Sequence, residues 1–326
     1  MNSSYSGRLS MLCVAFENPE PLHSRMLLRD LPHFSHPDVA ALAWAIGSPP
    51  LLSENAGKLP VLSEDWHDAQ LEKHMEWLRD LEKDPQFLED WLQADEVKLL
   101  GKRFESLLAF WFSHSPFFEC MERNIRFVQS GNSSGEADFI IRDVLTDEVI
   151  HIEAACKYYI GHPHNSNRNS WVGPNGHDSL ALKIEKLRKQ IGVFRTEPGR
   201  DWLRENKLHI DRSYVLIKGY FFHPFREIMF PVAPVDAHQH YSSGWFVTQN
   251  DLEVFADQTE QWLVLPKPRW MCPFHFSGED VILLSGIEMM EKVKSEMDLK
   301  RKAVLVIQVQ KDGEMLHEIS RGFVIR

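Results

Sequence analysis

The chain has few cysteines, and no two of them are close together in the sequence. Its 326 residues include four, Cys13, Cys120, Cys156 and Cys272. Disulfide-rich secreted domains and cysteine-based zinc modules place cysteines at short, repeated spacings. Both classes are therefore excluded, and we expect the four side chains to be reduced thiols inside the fold.

Long apolar runs are also absent, as are the sequence signatures of several enzyme classes. No segment approaches the roughly 18 apolar residues of a membrane-spanning helix, and the N-terminus MNSSYSGRLS contains no uninterrupted apolar run. We therefore expect a cytoplasmic protein with no membrane partner. The chain shows no glycine-rich phosphate loop, no nucleophile elbow and no internal repeat.

Basic residues are in short supply overall but are concentrated in one region. The 36 lysines and arginines are outnumbered by 47 acidic residues, which gives a net charge of −11 and argues against broad affinity for nucleic acid. From Ser63 to Lys98 there are twelve acidic and four basic side chains, whereas from Lys183 to Lys218 there are ten basic and five acidic. The second region is either a surface for a phosphate backbone or an ordinary solvated helix face.

The stretch from Gly135 to Ile160 predicts two β-strands joined by a turn at Leu145-Thr-Asp-Glu148. Its residues alternate with the period of a pleated strand. On the second strand this alternation puts Glu153 and Lys157 on the same face, four residues apart. Asp138 lies on the neighbouring strand.

These three side chains predict metal-dependent phosphodiester chemistry. A hard cation such as Mg²⁺ or Mn²⁺ binds carboxylate oxygens, so we assign Asp138 and Glu153 to a metal site. Lys157 is assigned to catalysis, because a lysine beside such a metal orients the attacking water or stabilises the charge that develops on the phosphate. The alternative is an exposed hairpin with charged residues on its solvated face.

The arrangement resembles the PD-(D/E)XK nuclease superfamily, in which a strand aspartate is followed by Glu-X-Lys on the next strand. Here Ala155 occupies the place of the family's lysine, and Lys157 lies two residues further on. Four residues of strand span roughly 13 Å, so a catalytic Lys157 requires a bulge near Ala154. In many members the helix before the first core strand contributes a glutamate, and the resemblance assigns that role to Glu105, in a helix predicted from Glu96 to His114.

A loop and a helix are predicted after the second strand. Gly161 to His177 is rich in Asn, Ser, Pro and Gly, and Asp178 is a suitable helix N-cap. The packing stripe of the helix consists of Leu180, Ile184, Leu187 and Ile191. Three basic side chains are assigned to nucleic-acid binding, namely Arg168, Lys183 and Lys186. Gln190 is assigned to the catalytic set together with Lys157 and Glu105.

A closer resemblance rests on the string WVGPNGHDSLALKIEKLRKQ, preceded by HIEAACKYYIG and followed by IKGYFF and by SGWF at Ser243. It is similar to the bacterial family catalogued as domain of unknown function 1853, over roughly Lys98 to Phe246. This resemblance implies little about activity, because a nuclease-like core is only a proposal for the family and its substrate is unknown.

The predicted architecture is α/β in three parts. Residues 1–97 form a helical N-terminal part, with helices at Asp38–Ile46 and Asp65–Leu81. Residues 98–222 form a mixed-sheet core resembling that of restriction endonucleases. Residues 223–326 form an α+β part packed on this core, with a hairpin around Lys311-Asp-Gly.

One further cluster has metal-capable side chains. Asp236-Ala-His-Gln-His240 places three of them at alternating positions, which permits a transition-metal site. Because the sequence offers no obvious partner ligand, we favour a solvated loop.

Three functional hypotheses follow. The leading one is Mg²⁺- or Mn²⁺-dependent cleavage of nucleic acid. The second is a catalytically inactive nuclease-like fold that binds nucleic acid or a protein. The third is a hydrolase that uses the histidine cluster. The choice of DNA or RNA and the oligomeric state stay open.

Overall fold

A computed structural model describes residues 32–94, 99–129, 132–227, 231–255, 261–277, 281–300 and 302–326. The helices of these residues are α1 (Pro37–Gly47), α2 (Glu64–Lys83), α3 (Gln86–Ala94), α4 (Leu100–His114), α5 (Leu180–Ile191), α6 (Glu197–Glu205) and α7 (Gly286–Lys300). The strands are β1 (Phe118–Gln129), β2 (Asn132–Asp143), β3 (Val149–Gly161), β4 (Trp171–Val172), β5 (Arg212–Pro224), β6 (Ser242–Thr248), β7 (Gln261–Leu265), β8 (His275–Ser277), β9 (Val304–Asp312) and β10 (Met315–Ile325). The predicted α/β class is confirmed.

The strands join in one mixed sheet, in the order β1-β2-β3-β5-β6-β10-β9-β7. Strands β1, β2 and β3 are antiparallel neighbours, β3, β5, β6 and β10 run parallel, and β9 and β7 return to antiparallel pairing. The two short strands β4 and β8 pair with β3 and β10. Strand β5 crosses the boundary expected at residue 222, and the C-terminal strands continue the same sheet.

Helices α1, α2 and α4 cover one face of the sheet and share a core with β2, β3 and β5. Trp44 of α1 stacks on Tyr220 of β5, with ring centroids 6.0 Å apart and planes inclined by 4°. Trp111 of α4 donates from Nε1 to His74 Nε2 of α2 over 2.9 Å. The helical N-terminal part is thus packed directly on the sheet. The predicted start of α4 at Glu96 lies outside the described residues.

Helix α5 packs on the opposite face, where its apolar stripe meets β3 and β5. Ser179 caps this helix, because its Oγ accepts from the Leu182 amide at 3.3 Å. The prediction of Asp178 as the cap was therefore wrong by one residue. In the loop before the helix, Trp171 is fully buried and lies directly over Gly161, where a Cβ would meet the indole at 2.5 Å.

The three described cysteines, Cys120, Cys156 and Cys272, are free thiols, and Cys13 lies outside the described residues. Of these three, Cys156 is buried and the other two are partly buried. No helix within the described part of the chain combines the length and the apolar composition needed to span a membrane.

Candidate functional site

Asp138 and Glu153 face each other across strands β2 and β3. The antiparallel ladder extends to the pair Phe139–Ile152. Beyond that pair, the Asp138 amide donates to Glu153 Oε1 at 3.3 Å, and the Ala154 amide donates to Asp138 Oδ2 at 2.9 Å. Each carboxylate is held by a backbone amide of the opposite strand, so the fold brings together the two acids that we assigned to a metal site.

One oxygen of Glu153 is engaged and the other is not. The side chain is fully buried, and His151 Nε2 donates to Oε1 at 2.9 Å. His151 Nδ1 lies 3.3 Å from Ser213 Oγ, which positions the ring from behind. Within the described residues, Glu153 Oε2 makes no hydrogen bond. A buried carboxylate oxygen without a donor is costly. A proton shared with the Asp138 carboxyl removes that cost, and so does a bound cation, so the residues present fit a divalent metal.

Burial raises the pKa of both carboxyl groups. The pKa of Asp138 rises from 3.8 to about 6, first through desolvation and then through the charge of Glu153. Desolvation raises the pKa of Glu153 from 4.5 to about 7. Burial also lowers the pKa of His151 to about 4, so its imidazole stays neutral at pH 7 while it donates to Glu153. Metal binding requires ionised carboxylates and therefore displaces protons from this pair.

These shifts predict how stability depends on pH in the absence of metal. A carboxyl whose pKa is raised in the folded state favours folding fully below its unfolded pKa, and this contribution is lost as the pH rises through the folded pKa. For Glu153 that window runs from about pH 4.5 to about pH 7. We expect Glu153→Gln to gain stability relative to the wild type across this window.

Urea unfolding of both proteins in EDTA, at half-unit pH steps, measures that difference. Comparing the two proteins cancels the opposing titration of buried histidines such as His74, whose pKa is lowered to about 4 by burial. A difference in unfolding free energy that is constant from pH 4.5 to pH 8 would show that Glu153 is not strained by ionisation.

Lys157 lies on the face of β3 whose residues Ala155 and Tyr159 pack against α5, and its ammonium group donates to Asp178 Oδ2. The pairing of β3 with β5 runs without a register shift from Ile150–Arg212 to Ile160–Phe222. The bulge needed to bring Lys157 towards Glu153 is therefore absent along this edge of the strand. Ala155, where the PD-(D/E)XK resemblance would place a lysine, is buried against the apolar stripe of α5.

The cation that acts on both carboxylates belongs to helix α5. The positive charge of Lys183 opposes the rise in the pKa of both Asp138 and Glu153, and Lys186 acts on Glu153 as well. Burial lowers the pKa of Lys183 itself, and the charge of Lys157 lowers it further. Lys183 is thus close enough to the strand carboxylates and to the Lys157 ammonium for its charge to act on all three.

Gln190 lies two turns after Lys183 on the same helix and is buried. Its Oε1 makes no hydrogen bond within the part of the chain described. Spacing of i and i+7 places Gln190 and Lys183 on one stripe of the helix. The assignment of Gln190 to the catalytic set stays a prediction.

Glu105 flanks the site from helix α4. Its carboxylate accepts from Lys102 one turn earlier, and its side chain is 26% exposed. The charges of Asp138 and Glu136 contribute to raising the pKa of Lys102, after the hydrogen bond to Glu105. The Lys102–Glu105 pair is thus close enough to β2 for the charges of Asp138 and Glu136 to act on Lys102. The Glu105 carboxylate is paired with this lysine of its own helix.

Arg168 forms its ion pair with Asp236 rather than with the carboxylate pair. Its Nη2 donates to Asp236 Oδ1 at 2.8 Å, and the Asp236 side chain is only 4% exposed. The guanidinium group therefore anchors the loop around residue 236. A role in nucleic-acid binding stays a prediction for the part of Arg168 that this ion pair leaves exposed.

Two contributions were missed by reasoning from the sequence. His151 was not assigned a role, although strand alternation puts it on the face of Glu153 two residues away. Lys183 was assigned to substrate binding rather than to the carboxylates themselves. Its position in a helix 30 residues after Glu153 carries no local signal, because only the packing of α5 on β3 brings the two together.

These observations define a class of protein: an α/β protein whose mixed sheet carries two buried, facing carboxylates, with a lysine from the covering helix beside them. The chain belongs to the family described as Domain of unknown function (DUF1853), whose model matches residues 40–325. Neither the curated proteins nor the solved structures contain a match to it.

Proposed function

We propose that this protein is a metal-dependent phosphodiesterase that cleaves nucleic acid, with a core of the PD-(D/E)XK type. The observation that carries the proposal is the convergence of Asp138 and Glu153 across adjacent strands, with a buried oxygen of Glu153 lacking a donor. The positive charge of Lys183 next to this pair supports it.

Each side chain has a defined role in the proposal. Asp138 and Glu153 hold Mg²⁺ or Mn²⁺, which when bound supplies Lewis-acid stabilisation of the phosphoryl oxygens. His151 orients Glu153 through Nε2 and keeps its Oε1 in place. Lys183 stabilises the negative charge that develops on the scissile phosphate. In the PD-(D/E)XK superfamily a lysine on the strand has this role. Lys186 and the exposed part of Arg168 contact the nucleic-acid backbone.

The metal site is tested by thermal unfolding with Mn²⁺. At a hundredfold excess over its dissociation constant, Mn²⁺ is expected to raise the melting temperature of the wild type by about 4–8 °C. Asp138→Asn and Glu153→Gln remove one ligand each and are expected to abolish most of this shift. Glu136→Gln is the matched control, because Glu136 is an exposed carboxylate two residues from Asp138 on the same strand.

The readouts separate the metal site from a general effect of Mn²⁺ on an acidic protein. Equal shifts in the wild type and in both ligand variants would contradict the assignment. Loss of the shift in Glu136→Gln as well would move the metal to the exposed end of β2. Titration calorimetry with Mg²⁺ at pH 8 and at pH 5.5 adds a second test, since weaker binding is expected at the lower pH, where the pair holds protons.

A second candidate is a catalytically inactive nuclease-like fold that binds nucleic acid or a protein. The observation that favours it is that the Lys157 ammonium group is paired with Asp178. The position at which PD-(D/E)XK nucleases carry their lysine is taken by the buried Ala155. This candidate requires no metal. It would be supported by nucleic-acid binding that is unchanged in EDTA, with no cleavage of single- or double-stranded DNA or RNA.

A further inference from the structure

Glu64, His238 and His240 come together at a place far from the carboxylate pair in the sequence of the chain. Glu64 is the first residue of α2, whereas the two histidines lie in the loop before β6. Glu64 Oε2 lies 2.7 Å from His240 Nδ1 and 3.8 Å from His238 Nε2, and one ligand atom of each residue lies within 4.8 Å of the others. The sequence indicated the two histidines, but their carboxylate partner is some 170 residues away.

The loop that carries the histidines is held in place by its backbone. The His238 amide donates to Leu51 O at 3.1 Å, and the Ser53 amide donates to Asp236 O at 2.9 Å. Asp236, which we had grouped with the histidines, uses its side chain for Arg168 instead. Both histidines therefore meet Glu64 on a scaffold that is fixed independently of any ion.

His67 provides a second, independent observation. It follows Glu64 by three residues on α2, so the two lie on one side of the helix. Its ring is fully buried, and Nδ1 lies 2.8 Å from Ile46 O, so Nδ1 carries the proton and Nε2 has a lone pair. Within the described residues Nε2 makes no hydrogen bond. A histidine that donates Nδ1–H to a backbone carbonyl and leaves Nε2 bare has the arrangement of a metal ligand.

His67 also lies close to the three-residue group. After desolvation and the charge of Lys218, the charge of His238 contributes to lowering the pKa of His67. The positive charge of Lys218 opposes a cation here, and its ammonium group is turned towards Ser48 O. The carboxylates of Glu64 and Asp68 lie near enough to Lys218 to offset its charge.

We infer that Glu64, His238 and His240 form a binding site for a divalent transition metal of the zinc type, with His67 beside it. Two imidazoles and one carboxylate are the donor set that suits zinc, and they leave a fourth position for water. Mg²⁺ and Ca²⁺ prefer oxygen ligands and would bind poorly. His238 loses one contact on binding. Its Nδ1 accepts from the His240 amide at 3.2 Å, and it can no longer accept once Nε2 binds the ion and the ring proton moves to Nδ1.

The site would connect the start of α2 to the loop before β6. Side-chain exposure is 9% for Glu64, 10% for His238 and 53% for His240, so the ion would enter from the side of His240. This inference does not depend on the proposed nuclease activity, because it uses none of the residues assigned to that site.

The test uses the full chain, stripped with EDTA and titrated with Zn²⁺ alone. We expect one equivalent to bind with a dissociation constant of about 1 μM or tighter and to raise the melting temperature, while Mg²⁺ at the same concentration does neither. Co²⁺ in place of Zn²⁺ is expected to give the visible absorption of a four-coordinate cobalt site. His240→Ala is the principal variant, because its exposed side chain can be removed without affecting folding, and it should weaken Zn²⁺ binding at least tenfold.

Two control variants address the other histidines of this chain. His209→Ala removes an exposed histidine outside the cluster, and it should bind Zn²⁺ as the wild type does. His275→Gln alters a second pair of histidines, in which His275 Nδ1 lies 3.1 Å from His317 Nδ1 and which could compete for the metal. Wild-type affinity in His240→Ala, or a loss in His275→Gln instead, would overturn the inference, as would the absence of zinc binding at 100 μM. Unaltered Mn²⁺ stabilisation in His240→Ala would show that the two sites are separate.

Discussion

Replacing Lys183 with alanine is expected to lower metal-dependent cleavage by about 10²- to 10⁴-fold, the range for a positioned proton-transfer or charge-stabilising side chain. Lys183 of α5 is partly buried, and its charge acts on both Asp138 and Glu153. A partly buried ammonium group stabilises a nearby negative charge more strongly than one at the surface does, because water screens it less. Mn²⁺ binding should persist or become slightly tighter, since a positive charge near the metal is removed.

Lys157→Ala is the comparison that decides which lysine is catalytic. Reasoning from the sequence assigned catalysis to Lys157, whereas its contact with Asp178 gives it a partner elsewhere. We expect a loss of less than about tenfold for Lys157→Ala, the effect of altering a partly exposed ion pair and the charge felt by Lys183. A larger loss in Lys157→Ala than in Lys183→Ala would restore the strand lysine to the catalytic role.

The assay uses labelled single- and double-stranded DNA and RNA with Mg²⁺ or Mn²⁺. Lys189→Ala is the matched control, because Lys189 is exposed on the same helix and has no assigned role. If the wild type, Lys183→Ala and Lys157→Ala are equally inert on all four substrates, the enzyme hypothesis gives way to the binding module. Moving a lysine to position 155 is not a suitable rescue, because Ala155 is buried among apolar side chains of α5 and a charge there would destabilise the protein.

The local part of the site was predictable because strand alternation is a local property. Period-two patterning put Asp138, Glu153 and Lys157 on the correct strands, and the helical stripe from Leu180 placed α5 after them. Neighbouring strands in a hairpin meet in register, so the two carboxylates had to be close. The N-cap was predicted at Asp178 and lies at Ser179, and this one-residue offset had no effect on which face α5 buries.

The remaining features depend on contacts between distant parts of the chain. The side chain of Lys157 is directed by its contact with Asp178. The distance of Lys183 from Glu153 is set by how α5 lies across β3. The partner of His238 and His240 is Glu64, which no spacing rule connects to them. Such contacts follow from the packing of the sheet rather than from any segment, so a single sequence gives the candidates but not their pairing.

The C-terminal third was the least predictable region, and besides the strand pairing of β5 with β6 a buried ion pair links it to the core. Arg321 and Glu318 of β10 have fully buried side chains, joined by bonds of 2.5 Å and 2.8 Å. Arg321 also donates to Trp270 O and Cys272 O, and its guanidinium lies 4.3 Å from the ring centre of Tyr220 on β5. One side chain therefore links the C-terminal strands to the strand at the centre of the sheet.

Arg321→Met is expected to reduce the free energy of unfolding by about 3–5 kcal/mol, because it leaves the Glu318 carboxylate buried without its partner. The double variant Arg321→Met with Glu318→Met should recover much of this loss, since it removes the unpaired charge. Arg204→Ala is the control, because its pair with Asp201 is 76% exposed on the arginine side and should contribute less than about 1 kcal/mol.

Urea unfolding followed by tryptophan fluorescence and by circular dichroism measures these values. A single transition in Arg321→Met, shifted to lower urea, would show that residues 223–326 unfold together with the core. Two separate transitions would mark them as an independent domain, and a loss below 1 kcal/mol would show that the ion pair does not hold this part of the sheet in place.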